Sequence, residues 1–381
     1  MQSRRRFLRS TALGVAAAGA LRGLVRGQAP QAGLSAPSPA HNGTVIDWHT
    51  HWIAPGVVDL ARRRTPALRL PSGQVWFDVA HRLQHLDAVG VRRQIVSFVG
   101  PAYDGALAPA EARPFWRAQN DGLAELVRRH PDRFSALATL PTANVAWAAE
   151  ELERAHRDLG LIGATLPLDA FVSLEGARSL APIFAVAQKY RSHLYIHRGS
   201  AAPQVPGQHP EVGPTNPYFG LASYRSPNRA PPGAPGDAAV ARATLITSAH
   251  LATGVITLAL TDFLDPYPDV TVQMTMIGGS ISFVAEQIEL AASRAGLPDP
   301  AERFRRVYLD TGASGRGPRG IALAAKVFGA DRILFGSDYG PWPSIVPFIA
   351  AVNQAAISAE ERNLIFVENG RRLLRARGIA G

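Results

Sequence analysis

Val45-Ile46-Asp47-Trp48-His49-Thr50-His51 is the stretch on which the fold turns. It opens with a β-branched, apolar pair and closes in His-Thr-His rather than in a glycine-rich turn. A doubly wound nucleotide-binding sheet announces itself by such a turn after its first strand, so that architecture is disfavoured. Side chains alternate along a strand, and a spacing of two therefore sends His49 and His51 to one face. Strict alternation sets Trp48 and Thr50 against the helices on the other face. A histidine pair alone also describes a hydrogen-bonded core, and further groups are needed to decide its meaning.

Outward from this strand, short apolar segments alternate with amphipathic ones. The strands predicted are Val45–His51, Arg93–Gly100, Phe134–Pro141, Leu161–Pro167, His193–Gly199, Val270–Ile277, Val307–Ala313 and Ile333–Tyr339. Helical periodicity is clear in Asn144–Leu159, Glu175–Tyr190 and Ser282–Ala295. Each parallel neighbour requires a crossover, so eight strands alternating with helices imply an α/β fold, a (β/α)8 TIM barrel over 44–381. Two connections exceed what a crossover needs. Residues 52–77 follow the first strand as a small cap, and the proline-rich 200–238 follows the fifth. Loops after strands lie on the catalytic face of a barrel, so both are placed over the site.

Two further strand ends carry matching chemistry. His197 closes the fifth strand in Tyr-Ile-His-Arg-Gly, and Asp338 closes the eighth in Phe-Gly-Ser-Asp-Tyr. Three imidazoles and a carboxylate reaching one rim suit zinc, manganese or iron. The chain has no cysteine, which excludes disulfides and thiolate ligands.

These motifs resemble the amidohydrolase superfamily, in its branch around aminocarboxymuconate-semialdehyde decarboxylase. The resemblance runs from Ile46-Asp47-Trp48-His49-Thr50-His51-Trp52 through His130-Pro131-Asp132-Arg133-Phe134, Gly278-Gly279 and Tyr308-Leu309-Asp310-Thr311. It ends in Leu334-Phe335-Gly336-Ser337-Asp338-Tyr339 and Glu368-Asn369-Gly370-Arg371-Arg372. It implies that His49, His51 and His197 ligate one divalent transition metal, with zinc the first expectation and manganese or iron the alternatives. It implies that Asp338 binds the metal or its water and moves protons as the catalytic base. Members with two metals bridge them by a carbamylated lysine, but neither Lys189 nor Lys326 stands at a strand end.

One departure is chemical. The family's sixth strand ends in a histidine ahead of Gly-Gly, where this chain has Met276. A thioether cannot carry a proton. His209, Arg198 and His250 are candidates to replace it. Arg198, Arg316 and Arg319 follow the fifth and seventh strands and suit recognition of a substrate carboxylate, through the planar fork of the guanidinium. His81 and His85 lie one helical turn apart without a third ligand and are expected to be exposed.

The formal charge of +10 does not indicate nucleic acid. Six of those charges are arginines within residues 1–29, which hold no acid, leaving 10 − 6 = +4. Ser3-Arg4-Arg5-Arg6-Phe7-Leu8 fits a twin-arginine export signal and is followed by a mild apolar run. That run is too short for a bilayer anchor of roughly 20 residues. Residues 1–29 are thus expected to be a signal peptide engaging the twin-arginine machinery, and 30–43 a flexible tether. The mature enzyme is expected in the periplasm or secreted. Its expected activity is non-oxidative decarboxylation of a small organic acid. Metal-hydroxide hydrolysis of an ester, lactone or amide is the alternative, and an exported binding protein on a weakened enzyme fold is a third reading. Homodimer formation is expected by analogy.

Overall fold

A computed structural model describes residues 44–64, 70–71, 73–98, 109–199, 239–315 and 317–380. The leader 1–29, the tether 30–43, the loop 200–238 with His209, and Arg316 lie outside the described residues.

Among the described residues nine strand segments follow in chain order: β1 (Val45–His51), β2 (Val91–Ser97), β3 (Phe134–Ala136), β4 (Ala138–Thr139), β5 (Gly163–Pro167), β6 (His193–His197), β7 (Thr271–Met274), β8 (Val307–Asp310) and β9 (Ile333–Leu334). All pair in parallel, as β1-β2-β3 and as β4 through β9 in sequence order. β3 and β4 are the single third strand expected from sequence, interrupted at Leu137, whose N–H still bonds to Val96 O at 2.9 Å. The first and last strands are also stitched together. Trp48 N–H donates to Phe335 O (2.8 Å), Asp338 N–H to His49 O (2.7 Å) and His51 N–H to Tyr339 O (2.8 Å). Sequential parallel strands whose ends meet give an α/β architecture consistent with a TIM barrel.

Two apolar layers hold this arrangement. Val96, Ala136, Ala164, Leu166, Leu194, Ile196, Val272, Leu309 and Phe335 belong to the larger cluster shared with the surrounding helices. A smaller cluster takes Trp48, Ile95, Leu137, Ile162, Tyr195, Tyr308 and Leu334 from around the ring, with Leu373 and Leu374 of the C-terminal helix. Trp48 therefore departs from the expected outward orientation. The register of β1 against β2 shifts between Asp47 and Thr50, and a bulge inserts a residue that breaks strict alternation.

The helices follow local rules. Asn144 caps Val145–Arg157 by accepting from Trp147 N–H at 3.1 Å. The continuous helix expected over Glu175–Tyr190 is instead Leu174–Ser179 and Ala181–Tyr190. Pro182 lies in the first turn of the second helix, where a missing N–H is harmless, whereas mid-helix it would remove a hydrogen bond. The segment after β1 contains helices Pro55–Arg64 and Gln74–Phe77.

Candidate metal centre

His49 and His51 at the end of β1, His197 at the end of β6 and Asp338 four residues beyond β9 meet at one rim. One ligand atom from each lies within 4.8 Å of all the others, and all four residues are buried. The three rings stand almost perpendicular, with centroids 4.8 to 5.2 Å apart. Among the described residues this is the one group of three or more such side chains. Lys189 is committed elsewhere, to Glu153 at 2.7 Å, so no lysine bridge for a second metal arises from it.

Each imidazole is turned by a partner on Nδ1. His49 Nδ1 donates to Asp310 Oδ1 (2.9 Å), and His197 Nδ1 to Arg198 O (2.9 Å). Ser97 Oγ spends its proton on Thr50 O (3.0 Å), so it accepts from His51 Nδ1 (3.2 Å). All three Nε2 atoms are thereby left as lone pairs. Those of His49 and His51 face Asp338 Oδ1 at 3.2 and 3.1 Å and are buried without a hydrogen-bond donor. Lone pairs facing a carboxylate oxygen in a dry site repel unless a cation sits among them, and the donor set fits a divalent metal.

The electrostatics agree. Burial would push the His49 imidazole down, but Asp310 and Asp338 outweigh it and raise it to about 10, so without a metal a proton on Nε2 takes the place of the cation between His49 and Asp338. Burial would raise Asp338, yet the imidazoles of His49 and His51 hold its carboxyl far below the ordinary range. Burial, reinforced by the neighbouring imidazoles, depresses His197. The pocket thus demands positive charge at its centre.

Residues behind the ligands complete the frame. Asp47 is fully buried and accepts from Ser337 Oγ (2.6 Å), Ser337 N–H (3.0 Å) and Gln94 Nε2 (3.0 Å), which ties β1 to the segment carrying Asp338. Its carboxyl is raised to about 6 by burial, against the opposing effect of those hydrogen bonds. Arg82, also fully buried, donates to Gln94 Oε1 (2.9 Å) and His51 O (2.5 Å), and its guanidinium lies 4.7 Å from the Tyr339 ring centroid. Sequence patterns flag neither Asp47 nor Arg82, because nothing local marks a polar side chain as the partner of a group on another element, whether 12 residues away as for Arg82 and Gln94 or 290 as for Asp47 and Ser337. His85, expected to be exposed, is half-buried, accepts from Ile345 N–H (3.1 Å) and stacks on Tyr339.

The other candidate residues divide. Met276 stands at the rim, buried, with its Sδ accepting from Ser314 Oγ at 3.2 Å and its N–H directed at Asp310 Oδ1 at 3.4 Å. Arg198 is half-buried and contributes its carbonyl to His197. Arg319 is exposed at the start of helix Pro318–Phe328. His250 is buried on helix Ala239–Leu260, its Nε2 3.4 Å from Asp169 Oδ1.

Met276, Ala313 and Asp338 all have left-handed backbone, with φ of 55°, 47° and 55°. Such strain costs about 1–3 kcal/mol per residue and collects where function fixes geometry. Histidine visits this region more readily than most side chains. Met276→His is therefore expected to fold with an unchanged thermal midpoint and equal or higher turnover. A clear loss of activity in steady-state assays would show that the pocket is shaped around the thioether. Gly312 is fixed by crowding, since a Cβ there would sit 2.1 Å from His49 Nδ1.

The amidohydrolase family profile matches residues 46–376, and the chain belongs to that family of metal-dependent enzymes. It is 26% identical over 334 residues to a gamma-resorcylate decarboxylase of Rhizobium sp. (strain MTP-10005), covering 80% of this chain and 92% of the relative. A shorter match, 29% over 116 residues, is to the 2-amino-3-carboxymuconate-6-semialdehyde decarboxylase of Dictyostelium discoideum, covering 30% of this chain and 32% of that one. Among solved structures it shares its fold with a dihydroxybenzoic acid decarboxylase from Polaromonas sp. JS666, crystallised with manganese and the inhibitor 2-nitroresorcinol. There the TM-score is 0.64 and the identity 22%, covering 87% of this chain and 96% of that one.

Proposed function

We propose that this chain is a carboxy-lyase on a closed (β/α)8 barrel, releasing carbon dioxide from a hydroxylated aromatic acid at a single divalent metal. The observation that carries the reading is the pair of bare Nε2 atoms facing Asp338 Oδ1, on a chain related along most of its length to resorcylate decarboxylases. His49, His51, His197 and Asp338 would hold a divalent cation, which would supply positive charge to offset the negative charge that develops during the reaction. Zinc is the expectation from three imidazoles, and the manganese in a structural relative makes that metal the first alternative.

Asp338 supplies the proton chemistry. It is ionised at rest, so it begins as an acceptor and takes up one proton from solvent as the carboxylate substrate binds. It then gives that proton to the ring carbon bearing the carboxylate. The carbon–carbon bond breaks with its electron pair left on the ring, and carbon dioxide departs. Asp338 is the ligand on the strained turn, and its carboxylate is 10% exposed while the side chains of His49 and His51 are sealed. Burial on this scale also keeps bulk water from competing for the proton. Incubating the metal-loaded protein with hydroxybenzoates is expected to release carbon dioxide and the corresponding phenol in equal amounts. Acid release from esters or lactones, with no carbon dioxide from any hydroxybenzoate, would replace the reading with a hydrolase. Metal binding without turnover on either panel would leave a binding protein.

We also propose that residues 1–29 direct export by the twin-arginine route, supported by Ser3-Arg4-Arg5-Arg6-Phe7-Leu8. Replacing Arg4 and Arg5 together by lysine is expected to leave the protein in the cytoplasmic fraction. Undiminished export of that variant would remove the assignment.

A further inference from the structure

A second set of polar side chains crosses the barrel beneath the metal centre. Asp310 accepts His49 Nδ1–H on Oδ1 and Gln273 Nε2–H on Oδ2, the latter at 2.8 Å. An amide oxygen will not face a carboxylate, so this contact fixes the orientation of Gln273, whose Nε2 also approaches Trp48 O at 3.3 Å. Gln273 Oε1 then lies 2.8 Å from His193 Nε2 and must accept its proton. His193 is fully buried, and burial together with the nearby Arg377 charge drives its imidazole down to about 3. It is neutral, its Nδ1 is an acceptor, and Thr271 Oγ1 donates to it at 2.9 Å. Thr271 in turn accepts from the Arg377 guanidinium at 2.5 Å. Arg377 follows the C-terminal helix Asn369–Arg375, and its other amino group is anchored on Leu373 O (2.7 Å).

Every donor between Arg377 and Asp310 points the same way, from the cation toward the carboxylate. Hydrogen bonds ordered head to tail polarise one another, and the effect is larger where water is excluded. Asp310 is the group that decides which nitrogen of His49 carries the proton. Gly312 N–H holds Oδ1 at 2.8 Å and Gln273 holds Oδ2; were the carboxylate free to rotate, His49 could present Nδ1 or Nε2 to the rim, and only the second is useful to a metal.

We propose that Gln273, His193, Thr271 and Arg377 are positioning residues that fix the His49 tautomer for metal binding from the opposite end of the barrel. The proposal rests on the reading of His49, His51, His197 and Asp338 as a metal site.

The test measures Zn²⁺ affinity of the full-length protein by competition with a chromophoric chelator. Asp310→Asn defines the full effect, a loss of about 10–100-fold typical of removing a ligand's hydrogen-bond partner. Gln273→Met, which keeps the shape and removes the donor, is expected to fall in the same range. Thr271→Val, isosteric and well suited to a strand, and Arg377→Met are expected to weaken binding roughly 3- to 10-fold, with Arg377→Lys restoring it. In the Asp310→Asn background neither remote substitution should add a further loss, because the route to His49 is already cut. Should Arg377→Met fail to fold, Thr271→Val carries the comparison. Remote variants that lower the thermal midpoint while binding Zn²⁺ like the unmodified protein would overturn the chain and leave the metal site standing. If the unmodified protein itself takes up no Zn²⁺, the metal reading fails and this proposal with it.

Discussion

Asp338→Asn is expected to cut turnover by about 10²–10⁴-fold, the range of a lost acid–base catalyst, while most of the bound metal remains. The amide keeps an oxygen where Oδ1 now faces His49 and His51, so the coordinating position survives. What it loses is the capacity to accept a proton and return it. The backbone is expected to hold, because the turn is fixed by Asp338 N–H on His49 O and Trp342 N–H on Asp338 O, neither of which involves the side chain. Asparagine also tolerates the positive φ of 55° found there. Metal content and steady-state kinetics on the same preparation separate the two effects. A variant with undiminished turnover would take Asp338 out of the proton-transfer role, and one stripped of metal would make it chiefly a ligand.

The second large effect is on His49→Ala. The folded chain is expected to carry about one transition metal, and the variant close to none, since structural and catalytic sites of this kind depend on each protein ligand. His49 is the ligand with most to lose. It is fully buried, its Nδ1 is held by Asp310, and its Nε2 is one of the bare atoms at the centre. Alanine would also leave Asp310 without one of its donors, so some loss of stability accompanies the loss of metal. Far-UV circular dichroism shows whether the chain is still folded when the metal is measured. Full metal occupancy in a folded variant would mean that the cation sits elsewhere.

The strand ends were readable because they carry both a pattern and a chemistry. β1 has the bounds Val45–His51 expected from its residues, and His197 and Asp338 fall where apolar segments give way to polar ones. The misreadings have separate causes. Trp48 points inward because a bulge is a property of two paired strands and leaves no mark on one. The helix expected at Glu175–Tyr190 breaks because its apolar spacing continues across Pro182, which periodicity alone does not penalise. Asp310 could be quoted as part of a motif but not given a role, since its partner His49 is 261 residues away. The same applies to Gln273 and His193, which look like ordinary strand residues until their neighbours are known. His209 and Arg316 lie outside the described residues and remain candidates from sequence alone.

The stitching of the first strand to the last has a consequence for the order of events in making this protein. Asp47 and Ser337, which join the two halves of the centre, are 290 residues apart in the chain. His49 and His51 emerge from the ribosome before the carboxylate that completes their site, which follows only after strands β2 to β9 have been synthesised. A chain stalled or truncated before Asp338 offers imidazoles but no finished cage. A cage that needs all four groups thus records that the ring has shut rather than helping it to begin.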